Sequence, residues 1–134
     1  QQVRFLGMQR VENLMPQIGL VVLSSISEAL PLVLLEGYAA GVPVVSTDVG
    51  SCRQLVEGLD EEDRALGPSG AVVPIAEPQQ LADAALRLLG DSNAWQAASR
   101  AAVARVERYY TDTLMFDRYR QVYESALARN PGAA

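Results

Sequence analysis

The sequence has no histidine and no lysine; all eleven of its basic residues are arginine. Lysine Schiff-base chemistry, histidine general-base chemistry and histidine-ligated metal sites are therefore excluded within this chain. Its single cysteine, Cys52, cannot close an internal disulfide, which fits a reducing, cytoplasmic setting. With no base beside it, Cys52 reads as a small packing residue rather than a nucleophile. No apolar run reaches the ~20 residues that a membrane-spanning helix needs, and no secretory signal pattern opens the chain. Positive charge is short as well: 11 basic residues stand against 16 acidic ones, for a net charge of −5. A nucleic-acid surface needs a basic stripe, so that class of partner is excluded. Aromatic residues make up 6%, and Trp95 and the five tyrosines read as helix-packing residues.

What is present is a core. The 134 residues are 49% apolar, enough for one packed domain and too apolar for disorder. The chain opens at Gln1-Gln-Val-Arg-Phe5 with no methionine, which reads as a piece of a longer polypeptide. Four short strands are expected, at Val3–Leu6, Leu20–Leu23, Val44–Ser46 and Ala71–Pro74. The run at Leu20–Leu23 is continuously apolar, the pattern of a parallel strand buried on both faces. Between them, one or two helical turns are expected over Val11–Met15, closed by Pro16. A helix is expected over Pro31–Ala40, with Pro31 in its first position, Gly41 as its C-terminal cap and Pro43 barring continuation. Ser51-x-x-Gln54 reads as a capping box for a helix to Glu57. Residues 58 to 70 read as an exposed connection, with Asp60-Glu-Glu-Asp63 a solvated acidic turn.

Three helices follow. Pro78–Leu89 carries Leu81, Ala85, Leu88 and Leu89 on one stripe. Asn93–Tyr110 carries Trp95, Ala98, Ala102, Val106 and Tyr109. The last, capped by Thr111 or Asp112, runs to Arg129 and turns Met115, Tyr119, Val122, Tyr123 and Ala126 inward. Residues 1–129 form the domain, and residues 130–134 are a frayed tail. Strands alternating with helices predict an α/β fold: a Rossmann-like parallel sheet with flanking helices. Four strands are fewer than the about five or six of a complete unit of that kind.

The chemistry concentrates between Ser24 and Ser51. Glu36 is the only charge in the apolar run Pro31–Val45, and burying an unpaired carboxylate is costly, so it calls for a ligand or a partner. A salt bridge to an arginine such as Arg53 is the bland alternative. Glu28 follows the end of one strand, and Asp48-Val-Gly50 follows the next. Open parallel sheets bind ligands beyond the carboxyl ends of their strands, and helix N-termini favour oxyanions. A vicinal diol donates two hydrogen bonds to one carboxylate. The segment therefore suits a nucleotide sugar, with diphosphate at the helix ends, ribose on Glu36, and sugar hydroxyls near Glu28 and the Ala29–Leu32 backbone. Taken singly, Glu28 reads more readily as a solvated loop acid, and Gly50 and Ser51 serve at least as a turn and a cap.

The stretch Ser24-Ser-Ile-Ser-Glu28-Ala-Leu-Pro-Leu-Val-Leu-Leu-Glu36-Gly-Tyr-Ala-Ala-Gly-Val-Pro-Val-Val-Ser-Thr-Asp-Val-Gly50 resembles the donor-binding signature of retaining GT-B glycosyltransferases of family 4. That signature has two Glu separated by seven residues, then Ala-x-Gly-x-Pro-Val-Val and a glycine loop. Val3-Arg-Phe-Leu-Gly7 matches the strand that precedes it, and the terminal helices match the family's C-terminal closure. The variant Asp48-Val-Gly-Ser-Cys-Arg-Gln-Leu-Val-Glu-Gly58 further resembles the glycosyltransferases of Pel-type exopolysaccharide synthesis, which use UDP-glucose.

The resemblance implies a partial GT-B C-terminal domain that binds a nucleoside diphosphate sugar, with UDP-glucose the expected donor. It implies retaining hexosyl transfer in exopolysaccharide or glycolipid synthesis, without a metal or other cofactor. Glu28 would meet the transferred sugar as the catalytic residue, and Glu36 the ribose. Ala29, Leu30, Pro31, Leu32 and Val33, with Ser25 and Gly50, would complete the substrate site. Ala29 and Leu30 replace the usual Gly and Phe, which bears on sugar choice. Ser51 and Cys52 stand where relatives have Gly and another small residue. The family's diphosphate-binding Arg and Lys, and its N-terminal domain, lie outside this chain, so the fragment is expected to be inactive alone. Expected partners are that N-terminal domain, a membrane-associated polysaccharide synthesis complex and, for the bare fragment, a second copy. The rival reading is a non-catalytic GT-B-derived interaction or assembly module. A dehydrogenase is disfavoured because no Gly-x-Gly-x-x-Gly follows a strand.

Overall fold

A computed structural model describes residues 2–129. Three parallel strands form the sheet in the order β1-β2-β3, with β1 at Val21–Leu23, β2 at Val44–Thr47 and β3 at Gly70–Val73. Val45 of β2 pairs with Val22 on one side and Ala71 on the other. All four residues of β2 are buried, as a central strand covered on both faces requires. Its neighbouring valines face opposite ways and seed two cores. Val44 joins Leu34, Tyr38, Leu55 and Val56 on one side, and Val45 joins Val73 and Ala84 on the other.

Around the sheet lie α1 (Val11–Leu14), continued by a 3₁₀ turn at Met15–Gln17, then α2 (Leu32–Ala39), α3 (Cys52–Glu57), α4 (Glu61–Arg64), α5 (Pro78–Gly90), α6 (Ser92–Tyr109) and α7 (Asp112–Arg129). Helix α2 packs on α6, while α5 covers β2 and β3. Asp91 caps α6 by accepting from the amides of Asn93 and Ala94 at 2.9 and 3.0 Å. The α/β class, the parallel sheet and the helix order agree with the sequence reading. The tail at residues 130–134 lies outside the described residues.

Several expectations fail, each for a physical reason. Val3–Leu6 forms no strand: Val3, Phe5 and Leu6 are exposed, with no neighbouring strand to accept their backbone groups. β1 is an edge strand buried on one face only, so Val22 is half exposed rather than covered. Pro31 is the N-cap of α2, one residue earlier than expected, and Pro16 lies inside the 3₁₀ turn. Ser51 flanks α3 but makes no capping box; its hydroxyl turns elsewhere, as described below. On α5 the fully buried residue is Ala84, outside the expected stripe; Leu81, Ala85 and Leu88 of that stripe are partly buried and Leu89 is exposed. The apolar stripe of α7 faces solvent: Met115, Tyr119, Val122, Tyr123 and Ala126 are all exposed. An amphipathic helix in that state lacks the surface its pattern was built to meet.

The acidic turn is not wholly solvated. Asp63 is 1% exposed and Arg105 is fully buried, and the Arg105 Nε donates to Asp63 Oδ1 at 2.6 Å. The same guanidinium donates to the carbonyls of Val56, Asp63 and Gly67 at 3.0, 3.0 and 2.9 Å. Asp63 Oδ2 in turn accepts from the Leu59 amide at 2.9 Å. Few guanidinium donors are left unpaired, which is the condition under which a buried ion pair is tolerated. Removing one partner strands the other in low dielectric. Arg105→Ala and Asp63→Ala are each expected to cost about 3–5 kcal/mol in urea unfolding; a loss below 1 kcal/mol in either would show that water re-solvates the pair.

Candidate functional site

The carboxyl ends of β1 and β2 open into two loops that are fastened together. Thr47, the last residue of β2, is 5% exposed, and its hydroxyl donates to the Ser25 carbonyl at 2.5 Å and the Leu23 carbonyl at 3.4 Å. One turn further on, the Ser51 amide and hydroxyl both donate to the Ala29 carbonyl, at 3.0 and 2.8 Å. Gly50 sits between these fastenings with φ +51°; a Cβ there would stand 2.2 Å from the Glu28 carbonyl oxygen and 2.7 Å from that of Ala29. Only glycine permits both the left-handed turn and the close backbone approach. The sequence places Gly50 in a ligand loop; the structure shows that it lets this loop meet the one carrying Glu28.

Glu28 is half-buried, and its Oε1 accepts from the Ser25 hydroxyl at 2.7 Å. That bond fixes one carboxylate oxygen and leaves the other free to accept. Ser25, Glu28, Ala29 and Gly50 are thus brought together. Leu30 and Leu32 are exposed at the start of α2, while Val33 packs against the core. The first-turn amides of α2 lack intrahelical acceptors, as at any helix start. Pro31 brings no amide, and its carbonyl already accepts from Leu34 N at 3.1 Å. The Ala29 carbonyl is likewise occupied, so any contact from these two residues comes through other atoms.

Glu36 is not buried. Leu34, Gly37 and Tyr38 form the inner face of α2, and Glu36 stands on its outer face. The apolar run had suggested a carboxylate enclosed on most sides; helical periodicity turns position 36 away from the core. The alternative bridge to Arg53 does not form. Arg53 donates to Asp48 at 2.7 Å and to Glu57 at 2.7 Å. These carboxylates, Asp48 foremost by hydrogen bonding, raise the pKa of Arg53. The Glu36 side chain has no hydrogen-bond or ion-pair partner among the described residues, and it lines two grooves. The smaller, about 340 Å³, lies against Val11, Glu12, Met15 and Pro16. The larger, about 710 Å³, runs along α2 past Leu30, Leu32 and Leu35, with the end of α6 and the start of α7 as its opposite wall.

Two features of this region escape sequence reading. Thr47 carries no mark in the sequence beyond ending a buried strand, where a polar residue must find a backbone acceptor. Gln54, expected to help cap α3, donates to the Tyr110 hydroxyl at 3.3 Å and ties α3 to the turn before α7. Beneath the site, Ser69 donates to the Tyr38 hydroxyl at 2.7 Å, and burial raises the Tyr38 pKa. Gly50→Ala is expected to cost about 1–3 kcal/mol and to shift the NMR resonances of Glu28 and Ala29 more than those of the distant α5; an unchanged melting temperature would show that the loops do not need this approach.

Comparison with known proteins gives a consistent picture. Residues 1–91 match the family described as Glycosyl transferases group 1. The lipopolysaccharide core biosynthesis mannosyltransferase LpsB of Rhizobium meliloti is 33% identical over 100 residues, covering 75% of this chain and 27% of that protein. The N-acetyl-alpha-D-glucosaminyl L-malate synthase of Bacillus anthracis is 28% identical over 127 residues, covering 94% of this chain and 31% of that protein. Among solved structures, the sucrose-phosphate synthase of Thermosynechococcus elongatus superposes with a TM-score of 0.70 at 26% identity, covering 84% of this chain and 26% of that one. The chain spans less than a third of the length of the curated relatives it matches. The shared fold is that of a GT-B C-terminal domain.

Proposed function

Because this chain belongs to the group 1 glycosyltransferases, we propose that it is the donor-binding part of such an enzyme, holding a nucleoside diphosphate sugar. One observation carries the reading: the loop bearing Glu28 is locked to the Gly50 loop at the carboxyl ends of β1 and β2, and Glu36 stands free at the grooves beside it. In this reading the ribose hydroxyls donate to Glu36. The diphosphate lies at the open amides that begin α2, where a helix N-terminus favours negative charge. The sugar meets Glu28, whose orientation Ser25 fixes.

The finer assignments follow the motif. The donor is UDP-glucose, and transfer is of a hexose with retention. Glu28 contacts the sugar and contributes most where charge develops in the transition state. The product is a polysaccharide or glycolipid made on the cytoplasmic side, in a complex at the membrane. The acceptor-side domain comes from the rest of the polypeptide. The relatives include a mannosyltransferase, a D-inositol 3-phosphate glycosyltransferase and a sucrose-phosphate synthase, which weighs against a non-catalytic assembly module.

Titration of the protein with UDP and UDP-glucose tests the reading. Glu36→Ala removes the ribose acceptor and is expected to weaken both ligands by about tenfold, the worth of one charge-assisted contact; equal affinity in the variant would remove Glu36 from the site. In the full-length enzyme, Glu28→Ala is expected to lower kcat by about a hundredfold while changing KM little. A rise in KM at constant kcat would reduce Glu28 to a ground-state contact.

A further inference from the structure

Thr47 ends β2, and its main chain is held from several sides. It pairs with Val73 of β3. Its carbonyl accepts from the Ser46 hydroxyl at 2.8 Å and from the Val49 amide at 3.0 Å. The following amide, that of Asp48, donates to the Val73 carbonyl at 2.8 Å. A β-branched side chain on so fixed a backbone has little rotamer freedom. The sheet therefore sets the place of the Thr47 hydroxyl. At 5% exposed, Thr47 lies beneath the surface that a ligand would meet.

The loop it touches has no such support of its own. Ladder pairing between β1 and β2 ends with Leu23 beside Ser46, and residues 24–30 form neither helix nor strand. A buried hydroxyl needs only one acceptor, and the Leu23 carbonyl, at the end of the strand, stands at 3.4 Å. The single hydroxyl proton goes instead to the Ser25 carbonyl, at 2.5 Å. Ser25 is the residue whose own hydroxyl donates to Glu28 Oε1 at 2.7 Å. Two hydrogen bonds in series thus run from the sheet, through Ser25, to the carboxylate. On the far side of Glu28, Ser51 holds the Ala29 carbonyl with its amide and hydroxyl. Those bonds fix backbone; the path from Thr47 is the one that ends on the Glu28 side chain.

We propose that Thr47 is a positioning residue for Glu28, acting through Ser25. This rests on the reading of Glu28 as the group that meets the transferred sugar, and it adds what holds that group in place. A carboxylate that acts on charge developing in the transition state must be aimed before the reaction begins. A misplacement of about 1 Å at such a group costs up to about a hundredfold in rate. Thr47 touches no ligand, so its contribution is to turnover and not to affinity. Ser25 likewise serves the carboxylate, since its hydroxyl proton is already given to Glu28.

Release of UDP from UDP-glucose by the full-length enzyme provides the test. Thr47→Val keeps the branched shape and removes the hydroxyl. It is expected to lower kcat by about tenfold and to leave the KM for UDP-glucose unchanged. Thr47→Ser keeps the hydroxyl and should recover most of the loss. Ser25→Ala breaks the next link and should lower kcat to the same degree, and the double variant should be no slower than either single one, because both cut one path. In a Glu28→Ala background neither substitution should slow the enzyme further. A general loosening of the fold would instead slow it with or without Glu28. An unchanged kcat in Thr47→Val, an equal loss in Thr47→Ser, or the same loss in both backgrounds overturns the proposal. Should circular dichroism show Thr47→Val unfolded, Ser25→Ala, in a half-buried loop, decides by the same comparison of backgrounds. A large effect of Glu28→Ala with none from Thr47→Val or Ser25→Ala overturns the path from Thr47 and leaves the donor-site reading standing. An unchanged kcat in Glu28→Ala, or no turnover by the unaltered enzyme, overturns both.

Discussion

The guanidinium of Arg105 is the constraint on which the sheet and its helices rely. From near the C-terminal end of α6 it reaches the end of α3 at Val56, α4 at Asp63 and the approach to β3 at Gly67. Those are the segments that place β3 beside β2. A small three-stranded sheet has little apolar area with which to fix such a connection. One arginine with four hydrogen bonds fixes it by geometry instead. The ion pair itself contributes little net attraction once both charges are stripped of water. Its effect lies in the penalty for every alternative arrangement that leaves Arg105 or Asp63 unpaired.

Fixing β2 in turn fixes the site. Thr47 and Gly50 lie at the end of that strand, and their bonds and close approach set the height of the Glu28 loop. The tyrosine beneath, Tyr38, is held between Ser69 and the Leu55 carbonyl, so the inner face of α2 cannot rotate without breaking a buried hydrogen bond. Glu36 is therefore presented outward by an anchored inner face. The candidate site is assembled from backbone and hydroxyl contacts; Glu28 keeps one carboxylate oxygen beyond its bond to Ser25, and the Glu36 side chain has no partner among the described residues.

The sequence made the α/β class, the places of β2 and β3 to within a residue at each end and the run of helices legible, because strand-length apolar runs and the proline and glycine stops are local signals. Glu28, Glu36 and Gly50 were legible as a motif. Three things were not. The failure of Val3–Leu6 to form a strand depends on a missing neighbour, and pairing partners are not written in the strand itself. The exposure of α7 has the same origin: its stripe is a valid core pattern without a core beside it. Asp63 was hidden among acidic neighbours, and only the fold brings it to an arginine 42 positions away. Long-range polar pairing leaves no periodic trace.

The exposure of Glu36 reverses the argument that first drew attention to it. A lone acid in an apolar run suggested an enclosed charge in need of rescue. On the outer face of α2 it needs none, since water satisfies it. What remains informative is its company: exposed Leu32 and the groove-lining Leu35 and Ala39 flank it on the same side of the helix. A solvent face normally mixes charges freely, whereas this one is apolar but for a single acceptor. Such a surface gains by being covered, and it tolerates only a cover that brings hydrogen-bond donors to Glu36. A ribose with its diol satisfies that condition, and so does a protein surface with an amide or guanidinium at that point. The uncovered apolar stripe of α7, across the same groove, gains by being covered in the same way.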